Sequence, residues 1–320
     1  MYLARFAMRT DAAEPSARAD LYAAALEMTA WSETRGCLSV IVSEHHAVPD
    51  GYLPSPLPLA AALAARTTKV GINVSALLLA LYEPIKLAED MAVLDLISRG
   101  RVSYVVGIGY RDEEFDLFGV DRRGRGKLVE DRIRLLRQLW TGDTVGYDGR
   151  AVAVTPLPYS KGGPMLAYGG GTAAAAERAG RLGLYFMANS ADSSLETVYR
   201  EAAEKAGVRA LGCRLMDPAM PLTVFVADDP DRAWAEIGEY LLNDATSYAG
   251  WHSGPGTPNV SFAKTVDELR AEQGAYRIVT PEEGRAMIAA GQPLSLQPLV
   301  GGLPPDLAWP YLESAAALAS

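Results

Sequence analysis

The chain has 320 residues, 49% of them hydrophobic and 22% charged, so it can bury a sizeable core and lies outside the disordered class. A net charge of −9 argues against a nucleic-acid or anionic-membrane partner, since either would need a basic face. The two cysteines match no metal or redox spacing, and no stretch approaches the ~20 apolar residues of a membrane span. We therefore expect a cytoplasmic protein.

Apolar runs that resemble buried strands alternate with segments of helical periodicity along the chain. The predicted strands cover residues 2–8, 40–43, 70–75, 102–106, 165–168, 184–189, 222–226 and 294–300. The predicted helices cover residues 16–36, 57–66, 84–97, 128–140, 172–182, 194–206, 230–242, 281–290 and 307–318. Such alternation indicates parallel strands joined by helical crossovers. Eight units favour a closed (β/α)8 TIM barrel over an open doubly wound sheet.

Two segments interrupt this alternation, near residues 143–160 and 243–275. The first holds Tyr147-Asp148-Gly149-Arg150 between valine-rich arms, which predicts a small hairpin. The second is expected to be long and irregular and contains Gly254-Pro255-Gly256. We expect both insertions to lie outside one continuous barrel domain that spans residues 1–320.

The stretch Glu44-His45-His46 ends the second predicted strand abruptly and holds two of the three histidines of the chain. Enzymes with parallel sheets present catalytic groups at the carboxyl ends of their strands. An imidazole exchanges protons near neutral pH, because its ordinary pKa is ~6.5. These three residues are therefore the candidate catalytic group.

Glycine-rich turns after two other strands are typical of ligand contacts. Gly169, Gly170 and Gly171 lie between a predicted strand and a helix, where free backbone N–H groups favour an anion, most simply a phosphate. Thr172 is a suitable N-cap for that helix. The run 107–109 follows the fourth strand, and its glycines let the backbone approach a ligand closely.

In this order and spacing, the chain resembles the bacterial luciferase-like oxidoreductases, a barrel superfamily of FMN monooxygenases and enzymes of the deazaflavin F420. Four segments carry the resemblance: Ser43–His46; Pro84–Asp90 running into Leu94–Arg101; Gly107–Phe115 with Phe118–Asp121; and Gly169–Thr172. The resemblance implies an oxidoreductase that acts on a small organic substrate.

The resemblance also assigns roles to individual residues. His45 is expected to be the general acid/base, with Glu44 and His46 tuning it. A non-proline cis peptide is expected at Ser75–Ala76, at the end of the third strand. The expected cofactor-binding residues are Ser75, Ala76, Gly107, Ile108, Gly109, Gly169, Gly170, Gly171 and Thr172. Trp251 and His252 lie in the late insertion, which covers the active site in the family and lines a substrate pocket.

The cofactor implied by the resemblance is FMN or F420, with the two evenly supported. With FMN we expect monooxygenation and a separate reductase that supplies reduced FMN; with F420 we expect hydride transfer. FMN-using relatives often carry an arginine between the two glycines after the fourth strand, and here that position is Ile108. This departure favours F420 or weak FMN binding, with the phosphate held by Gly169–Thr172 and a nearby cation such as Arg111. A homodimer formed around Leu87–Leu96 is also expected.

Several charged residues are interpreted as structural. Glu89, Asp90 and Asp95 lie on a crossover helix, where charges usually form a solvated or ion-paired face. Arg111 and Glu114, in a loop after the fourth strand, are interpreted as an ion-paired structure or as part of the cofactor pocket, with the structural role favoured.

Two alternatives from other classes remain. One is a metal-dependent barrel hydrolase that uses Glu44, His45 and His46, although adjacent residues of an extended segment point to opposite faces and rarely share a metal. The other is a non-catalytic flavin-binding member of the fold. No metal is expected in the favoured interpretation.

Overall fold

The computed structural model describes residues 1–252 and 260–319. The predicted turn at Gly254-Pro255-Gly256 lies outside the described residues. The strands are β1 (Tyr2–Phe6), β2 (Cys37–Val42), β3 (Gly71–Leu78), β4 (Val102–Gly107), β5 (Val145–Tyr147), β6 (Arg150–Val152), β7 (Met165–Gly170), β8 (Tyr185–Ala188), β9 (Cys213–Arg214), β10 (Thr223–Val226), β11 (Tyr276–Val279) and β12 (Leu294–Leu296).

The helices fall between and after these strands. They are α1 (Pro15–Ser32), α2 (Pro56–Arg66), α3 (Pro84–Ser98), α4 (Asp112–Phe118), α5 (Arg125–Leu139), α6 (Ala173–Arg181), α7 (Ser194–Lys205), α8 (Pro230–Ala249), α9 (Val266–Ala271), α10 (Pro281–Ala289) and α11 (Pro305–Ala317). Six of the helices in the described residues, α1, α2, α3, α8, α10 and α11, have proline in their first turn, where its missing N–H costs no hydrogen bond.

An eight-stranded parallel sheet forms the centre of the fold, in the order β12-β1-β2-β3-β4-β7-β8-β9. The strands pair in parallel because each helical crossover carries the chain back to the end of the sheet where the previous strand began, and the next strand starts there. Along β1, Tyr2, Ala4 and Phe6 are buried in the core, while Leu3 and Arg5 on the other face are partly exposed. The carboxyl ends of β2, β3 and β4 therefore lie side by side.

The predicted closed ring is not shown by the structure. Within the described residues, β10 pairs with β11 in a separate two-stranded parallel sheet, and no backbone ladder joins it to β9 or β12. Side chains link the two sheets instead, since Ser295 Oγ donates to the carbonyl of Leu222 at 2.6 Å and Thr223 Oγ1 bonds Gln297 Oε1 at 3.1 Å. The observed architecture is a curled, mostly parallel α/β sheet with helices packed around it.

The two insertions differ in how well the sequence predicts them. The hairpin in the first is confirmed: β5 and β6 pair antiparallel, with Tyr147 opposite Arg150. The second is shorter than predicted because α8 does not end at Leu242 but continues to Ala249, with Asp244 and Ala245 extending its buried stripe. Two further helices, α4 and α9, form where loop or irregular structure was predicted, and the strands β9 and β11 form where no element was predicted.

No helix in the described ranges is both long and apolar enough to cross a membrane.

Candidate active site

A buried histidine–carboxylate pair lies where β2 and β4 end. His45 follows β2 and Glu114 lies on α4 after β4, and Nδ1 of His45 is 2.8 Å from Oε1 of Glu114. The backbone N–H of His46 donates to the same carboxylate oxygen at 3.0 Å. His45 is 7% exposed and Glu114 is fully buried. The pair is therefore shielded from bulk water but open at the imidazole.

The electrostatics of the pair define its proton positions. Burial lowers the pKa of His45, although Glu114 acts in the opposite direction, so the imidazole is neutral near pH 7. Burial acts to raise the pKa of Glu114, but the hydrogen bonds from His45 and His46 and the charge of Arg111 outweigh it and lower the pKa. An ionised carboxylate only accepts, so Nδ1 of His45 carries the proton. Its Nε2 is left as a base.

Tyr110 faces that base. Its hydroxyl oxygen lies 3.3 Å from Nε2 of His45. Burial is the main cause that raises the pKa of Tyr110, so its hydroxyl stays protonated and donates to the imidazole. The ring of Tyr110 also contacts the ring of His252 at 5.2 Å between centroids. A chain of groups therefore runs from Glu114 through His45 to Tyr110 and His252.

His46 points the other way and pairs with Glu44. Nε2 of His46 lies 2.8 Å from Oε1 of Glu44. The same carboxylate accepts from the backbone N–H of Leu78 at 2.7 Å and from the hydroxyl of Tyr82 at 2.9 Å. As expected for adjacent residues of an extended segment, the two histidines bond different carboxylates. Glu44 thus fastens the end of β3 to the end of β2.

Arg111 joins the two loops around His45. Its Nη1 donates to the carbonyl of His46 at 2.6 Å and lies 3.4 Å from Oε1 of Glu114. Its guanidinium carbon lies 4.6 Å from the ring centroid of Trp251. The structural interpretation of Arg111 and Glu114 is therefore right in part, because they form an ion pair that also holds His45. These contacts place the guanidinium of Arg111 beside His45 and not at the predicted phosphate site.

A fully buried arginine, Arg9, lies after β1 beside the same histidine. Its guanidinium contacts the rings of Tyr52, Tyr248 and Trp251 at 4.8, 5.1 and 4.9 Å from their centroids. The hydroxyls of Tyr52 and Tyr248 are 2.8 Å apart, and the ring of Trp251 lies 4.6 Å from that of His45. The aromatic residues thus form one wall that covers Arg9 and His45 together.

Two carboxylates accompany Arg9. Asp50 lies 3.1 Å from Nη1 and Asp244 lies 3.5 Å from Nε. Burial raises the pKa of Asp244, with the charge of Arg9 and a hydrogen bond from Tyr276 acting against it. Burial acts to lower the pKa of Arg9, but Asp244, Tyr248 and Asp50 outweigh it, so the guanidinium stays charged. The network ties the end of β1 to α8.

The predicted cofactor residues in β3 and at the end of β4 lie next to one another. The Ser75–Ala76 peptide bond is cis, which confirms the expectation drawn from the resemblance. A Cβ atom at Gly107 would lie 2.9 Å from Cβ of Ala76, and one at Gly109 would lie 2.9 Å from the ring of Phe115. Ile108, between them, is partly buried against the core. The glycines are therefore required by close packing of these two segments.

A cavity of about 230 Å³ lies on the inner side of the sheet below these segments. It is lined by residues from β3, β4, β7, β8 and β9, namely Asn73, Ser103, Tyr104, Val105, Met165, Ala167, Tyr185, Met187 and Arg214. Ser75, Gly107 and Gly169 each follow a lining residue by two positions, on the same face of their strands. The lining combines apolar side chains with the polar side chains of Asn73, Ser103 and Arg214.

Gly169–Thr172 leads from β7 into α6. Thr172 is the N-cap, as predicted, and its hydroxyl accepts from the N–H of Ala175 at 3.3 Å. The first turn of α6 carries no acidic side chain, which leaves its positive end free of a competing charge. A Cβ at Gly171 would lie 2.9 Å from the carbonyl oxygen of Asn189. This turn is suited to an anion, which remains a prediction.

The structure brings some predicted residues together and adds others. Glu44, His45, His46 and Trp251 lie in one cluster, whereas His252 contacts Tyr110 rather than His45. The sequence reasoning missed Arg9, Tyr52, Tyr110, Asp244 and Tyr248. Of these, Arg9 and Tyr110 could have been singled out, because each follows a predicted strand closely.

Two of the charged residues that were interpreted as structural have structural contacts. Asp90 pairs with Lys86, and the buried Asp95 accepts from the backbone of Ser160 at 2.6 Å.

Within residues 1–252 and 260–319, no group of three or more His, Cys, Asp or Glu side chains is arranged to hold a metal ion. The nearest approach to such a group is Glu44, His45 and His46, whose imidazoles bond separate carboxylates. The hydrolase alternative therefore has no geometric support in the described part of the chain.

Comparison with known proteins gives a consistent class. The chain is 29% identical over 187 residues to the alkanal monooxygenase alpha chain of Photorhabdus laumondii subsp. laumondii. This match covers 55% of this chain and 52% of the relative, so the chain spans about half of that relative's length. It is 28% identical over 298 residues to the F420-dependent glucose-6-phosphate dehydrogenase of Nakamurella multipartita, covering 87% and 84%. Among solved structures it resembles the oxygenating constituent of 3,6-diketocamphane monooxygenase from Pseudomonas putida, a type II Baeyer-Villiger monooxygenase in complex with FMN. That match has a TM-score of 0.72 at 18% identity and covers 100% and 97% of the two chains.

The proteins that this chain resembles thus include both FMN- and F420-dependent oxidoreductases. Residues 1–294 match the luciferase-like monooxygenase family, and the chain belongs to that family.

Proposed function

We propose that this chain is an oxidoreductase that uses reduced FMN or F420 to act on a small organic substrate, with His45 as the general acid/base. The observation that carries the proposal is the His45–Glu114 pair, buried at the strand ends beside the segments expected to hold the cofactor. The relatives support both cofactors, since one is named for F420 and one structure contains FMN.

The residues present fit a flavin-type cofactor. A cavity lined by both apolar and polar side chains lies below Ser75, Gly107 and Gly169, and the start of α6 offers backbone N–H groups with no acidic neighbour in its first turn. Ser75, Ala76, Gly107, Ile108 and Gly109 would hold the ring. Gly169, Gly170, Gly171 and Thr172 would hold the phosphate. When bound, the cofactor supplies the transfer of two electrons, and the protein supplies orientation and proton transfer.

His45 is suited to take a proton from the substrate at Nε2. Glu114 holds the opposite nitrogen, which fixes the tautomer and stabilises the imidazolium formed once the proton has been accepted. Tyr110 donates to Nε2 in this arrangement, so the substrate must displace its hydroxyl or pass its proton to Nε2 through that hydroxyl. The wall formed by Tyr52, Tyr248 and Trp251 excludes water from the imidazole.

We assign Glu44 a positioning role. It contacts His46, Leu78 and Tyr82, and through the N–H of Leu78 it holds the end of β3 in register with the catalytic loop. In this proposal His46 shapes the loop and does not exchange protons with the substrate.

We also propose that residues 1–320 form one barrel domain, in which β10 and β12 complete the ring. The hydrogen bonds of Ser295 with Leu222 and of Thr223 with Gln297 support this proposal. If FMN is the cofactor, a separate reductase supplies it in the reduced form.

Fluorescence titration of the purified protein with FMN and with F420, in separate experiments, tests the proposal. We expect one of the two to bind, and we expect His45→Asn to abolish substrate oxidation while leaving that binding unchanged. Cofactor binding without substrate oxidation in the wild type, and with no change in behaviour in His45→Asn, would favour the non-catalytic alternative. If neither cofactor binds and stoichiometric zinc or manganese is found, the hydrolase alternative replaces the proposal.

A further inference from the structure

Two buried guanidinium groups share one indole beside His45. The guanidinium carbon of Arg9 lies 4.9 Å from the ring centroid of Trp251, and that of Arg111 lies 4.6 Å from the same centroid. The ring of His45 lies 4.6 Å from that indole. Arg9 is fully buried and Arg111 is 8% exposed. Two cations and a base are thus covered by a single side chain.

Most nitrogens of the two guanidinium groups have an acidic or carbonyl partner. Asp50 and Asp244 lie beside Nη1 and Nε of Arg9. Nη1 of Arg111 engages the carbonyl of His46 and the carboxylate of Glu114, and its Nη2 lies 3.9 Å from Glu113. Asp50 and Asp244 thus lie within ion-pair distance of Arg9 without forming aligned hydrogen bonds to it, and Asp244 Oδ1 and Glu114 Oε2 have no hydrogen-bond partner among the described residues.

One nitrogen of each guanidinium is left over. Among the described residues, all three guanidinium nitrogens of Arg9 and Nε of Arg111 are buried without a hydrogen-bond partner. Nη2 of Arg9 and Nε of Arg111 also lack an ion-pair contact. A buried charged donor without an acceptor is unfavourable, and native structures usually satisfy it. Both groups lie next to the imidazole that the proposed function makes the reacting base. The missing partner is an acceptor that enters with a ligand.

We infer that this place binds a carboxylate carried by a flat apolar body, and that this is the class of the substrate. A carboxylate satisfies guanidinium N–H donors with charge-assisted hydrogen bonds. The rings of Tyr110 and Tyr248, which lie 5.5 and 6.4 Å from the ring of His45, suit a planar apolar body. The carboxylate takes the place that the indole of Trp251 now covers. The inference depends on the proposed function in one respect: that function makes the bound carboxylate the substrate on which His45 acts.

The test is calorimetric titration of the cofactor-free protein with benzoate, and with benzamide as a neutral compound of the same shape. We expect benzoate to bind at least about tenfold more tightly than benzamide. Arg111→Lys keeps the charge but lacks Nε, and it should weaken benzoate binding about tenfold; Arg9→Lys should act in the same direction. Trp251→Ala removes the cover and should tighten benzoate binding.

A matched control exists elsewhere in the chain. Arg35 also lies over a tryptophan, with its guanidinium carbon 4.4 Å from the ring centroid of Trp31, but the arginine is exposed. Arg35→Lys should leave benzoate binding unchanged. The circular-dichroism melting curve of each variant shows whether it folds; if Arg9→Lys does not, Arg111→Lys and Trp251→Ala decide.

Equal binding of benzoate and benzamide overturns the inference, as does unchanged benzoate affinity in Arg111→Lys. Absence of benzoate binding in both the wild type and Trp251→Ala also overturns it. None of these results depends on turnover, so they leave the proposed oxidoreductase activity to be judged by the cofactor titrations. Conversely, failure to bind FMN or F420 would not remove a carboxylate site demonstrated by benzoate.

Discussion

Glu114 and His45 are 69 residues apart in the chain, and a 2.8 Å hydrogen bond joins the carboxylate of the first to Nδ1 of the second. The contact depends on the parallel pairing of β2, β3 and β4, which places the ends of β2 and β4 on the same edge of the sheet. Because Glu114 is ionised, it sets which nitrogen of His45 is the base. The orientation of His45 is therefore controlled from another loop.

Replacing Glu114 by Gln should slow the proton-transfer step. The amide still accepts from Nδ1, but it no longer stabilises the imidazolium, so kcat should fall by roughly tenfold or more. The acidic limb of the pH profile of kcat/KM should move to lower pH, because Glu114 contributes to raising the pKa of His45. Steady-state kinetics across pH measure both effects. Glu113→Gln, at a neighbouring side chain that is 67% exposed, is the control, and an equal loss there would contradict a specific role.

The wild-type enzyme should keep its activity below the ordinary titration range of histidine. Burial lowers the pKa of His45, so the base form persists below pH 6.5 and activity falls only as the pH drops through the folded-state value. The linked stability has the same sign: below about pH 6.5 the unfolded chain binds more protons at this residue, so the free energy of unfolding decreases as the pH falls. Urea titrations of wild type and His45→Asn at several pH values should show a smaller acid loss in the variant.

Glu44→Gln should destabilise the fold more than an exposed acid-to-amide change does. The carboxylate of Glu44 accepts from Leu78 and Tyr82, and an amide group turned toward either donor leaves a buried hydrogen bond unmade. We expect a loss of about 1–3 kcal/mol in the free energy of unfolding, measured by urea denaturation. Glu83→Gln, at the exposed N-cap of α3, is the comparison. Equal losses in the two variants would count against the positioning role of Glu44.

FMN should bind weakly to the wild type, with a dissociation constant above micromolar, and Ile108→Arg should tighten it. A charge-assisted contact to the phosphate is worth about 1.5–3 kcal/mol, or roughly ten- to a hundredfold in affinity. Fluorescence quenching of FMN measures the change, and Ile108→Leu, which keeps the apolar contact, should not alter it. Wild-type protein that purifies bright yellow with stoichiometric FMN is the contrary result.

The chain should form a homodimer through α3. Val93, Leu96 and Ile97 form an exposed apolar stripe on this helix, at 43%, 40% and 46% exposure. Leu96→Glu should yield a monomer in multi-angle light scattering, because a charge would be buried without a partner. Leu211→Glu changes an exposed leucine away from α3 and should leave the dimer intact. A wild-type monomer at micromolar concentration contradicts the prediction.

Local periodicity was enough to predict most elements of the fold. The eight predicted strands correspond to β1, β2, β3, β4, β7, β8, β10 and β12, and the nine predicted helices all form. Strand and helix identity follow from short-range patterns of burial, which the sequence displays directly. Closure of the ring depends on the registry of β10 with its neighbours, which no local pattern encodes. The extension of α8 was missed because Asn243 looks like a helix end, although Asp244 is buried there.

The candidate site was predictable only as far as single segments reveal it. Glu44-His45-His46 stands out because ionisable residues end an apolar strand. Tyr52 and Tyr248 carry no such mark, since each has its role only through the other's position. Glu114 sits in the acidic first turn of α4, where it resembles Asp112 and Glu113 in sequence. Its difference from them is burial, a property of the assembled sheet.

The packing around Gly107 and Gly109 has a consequence for how such enzymes diverge. A methyl group at either position would collide with Ala76 or with Phe115, at 2.9 Å in both cases. Ile108 between them is only partly buried. Of the three positions in this turn, position 108 is therefore the one whose side chain can change without disturbing that packing. Under the proposed function, a change of cofactor preference would begin at position 108.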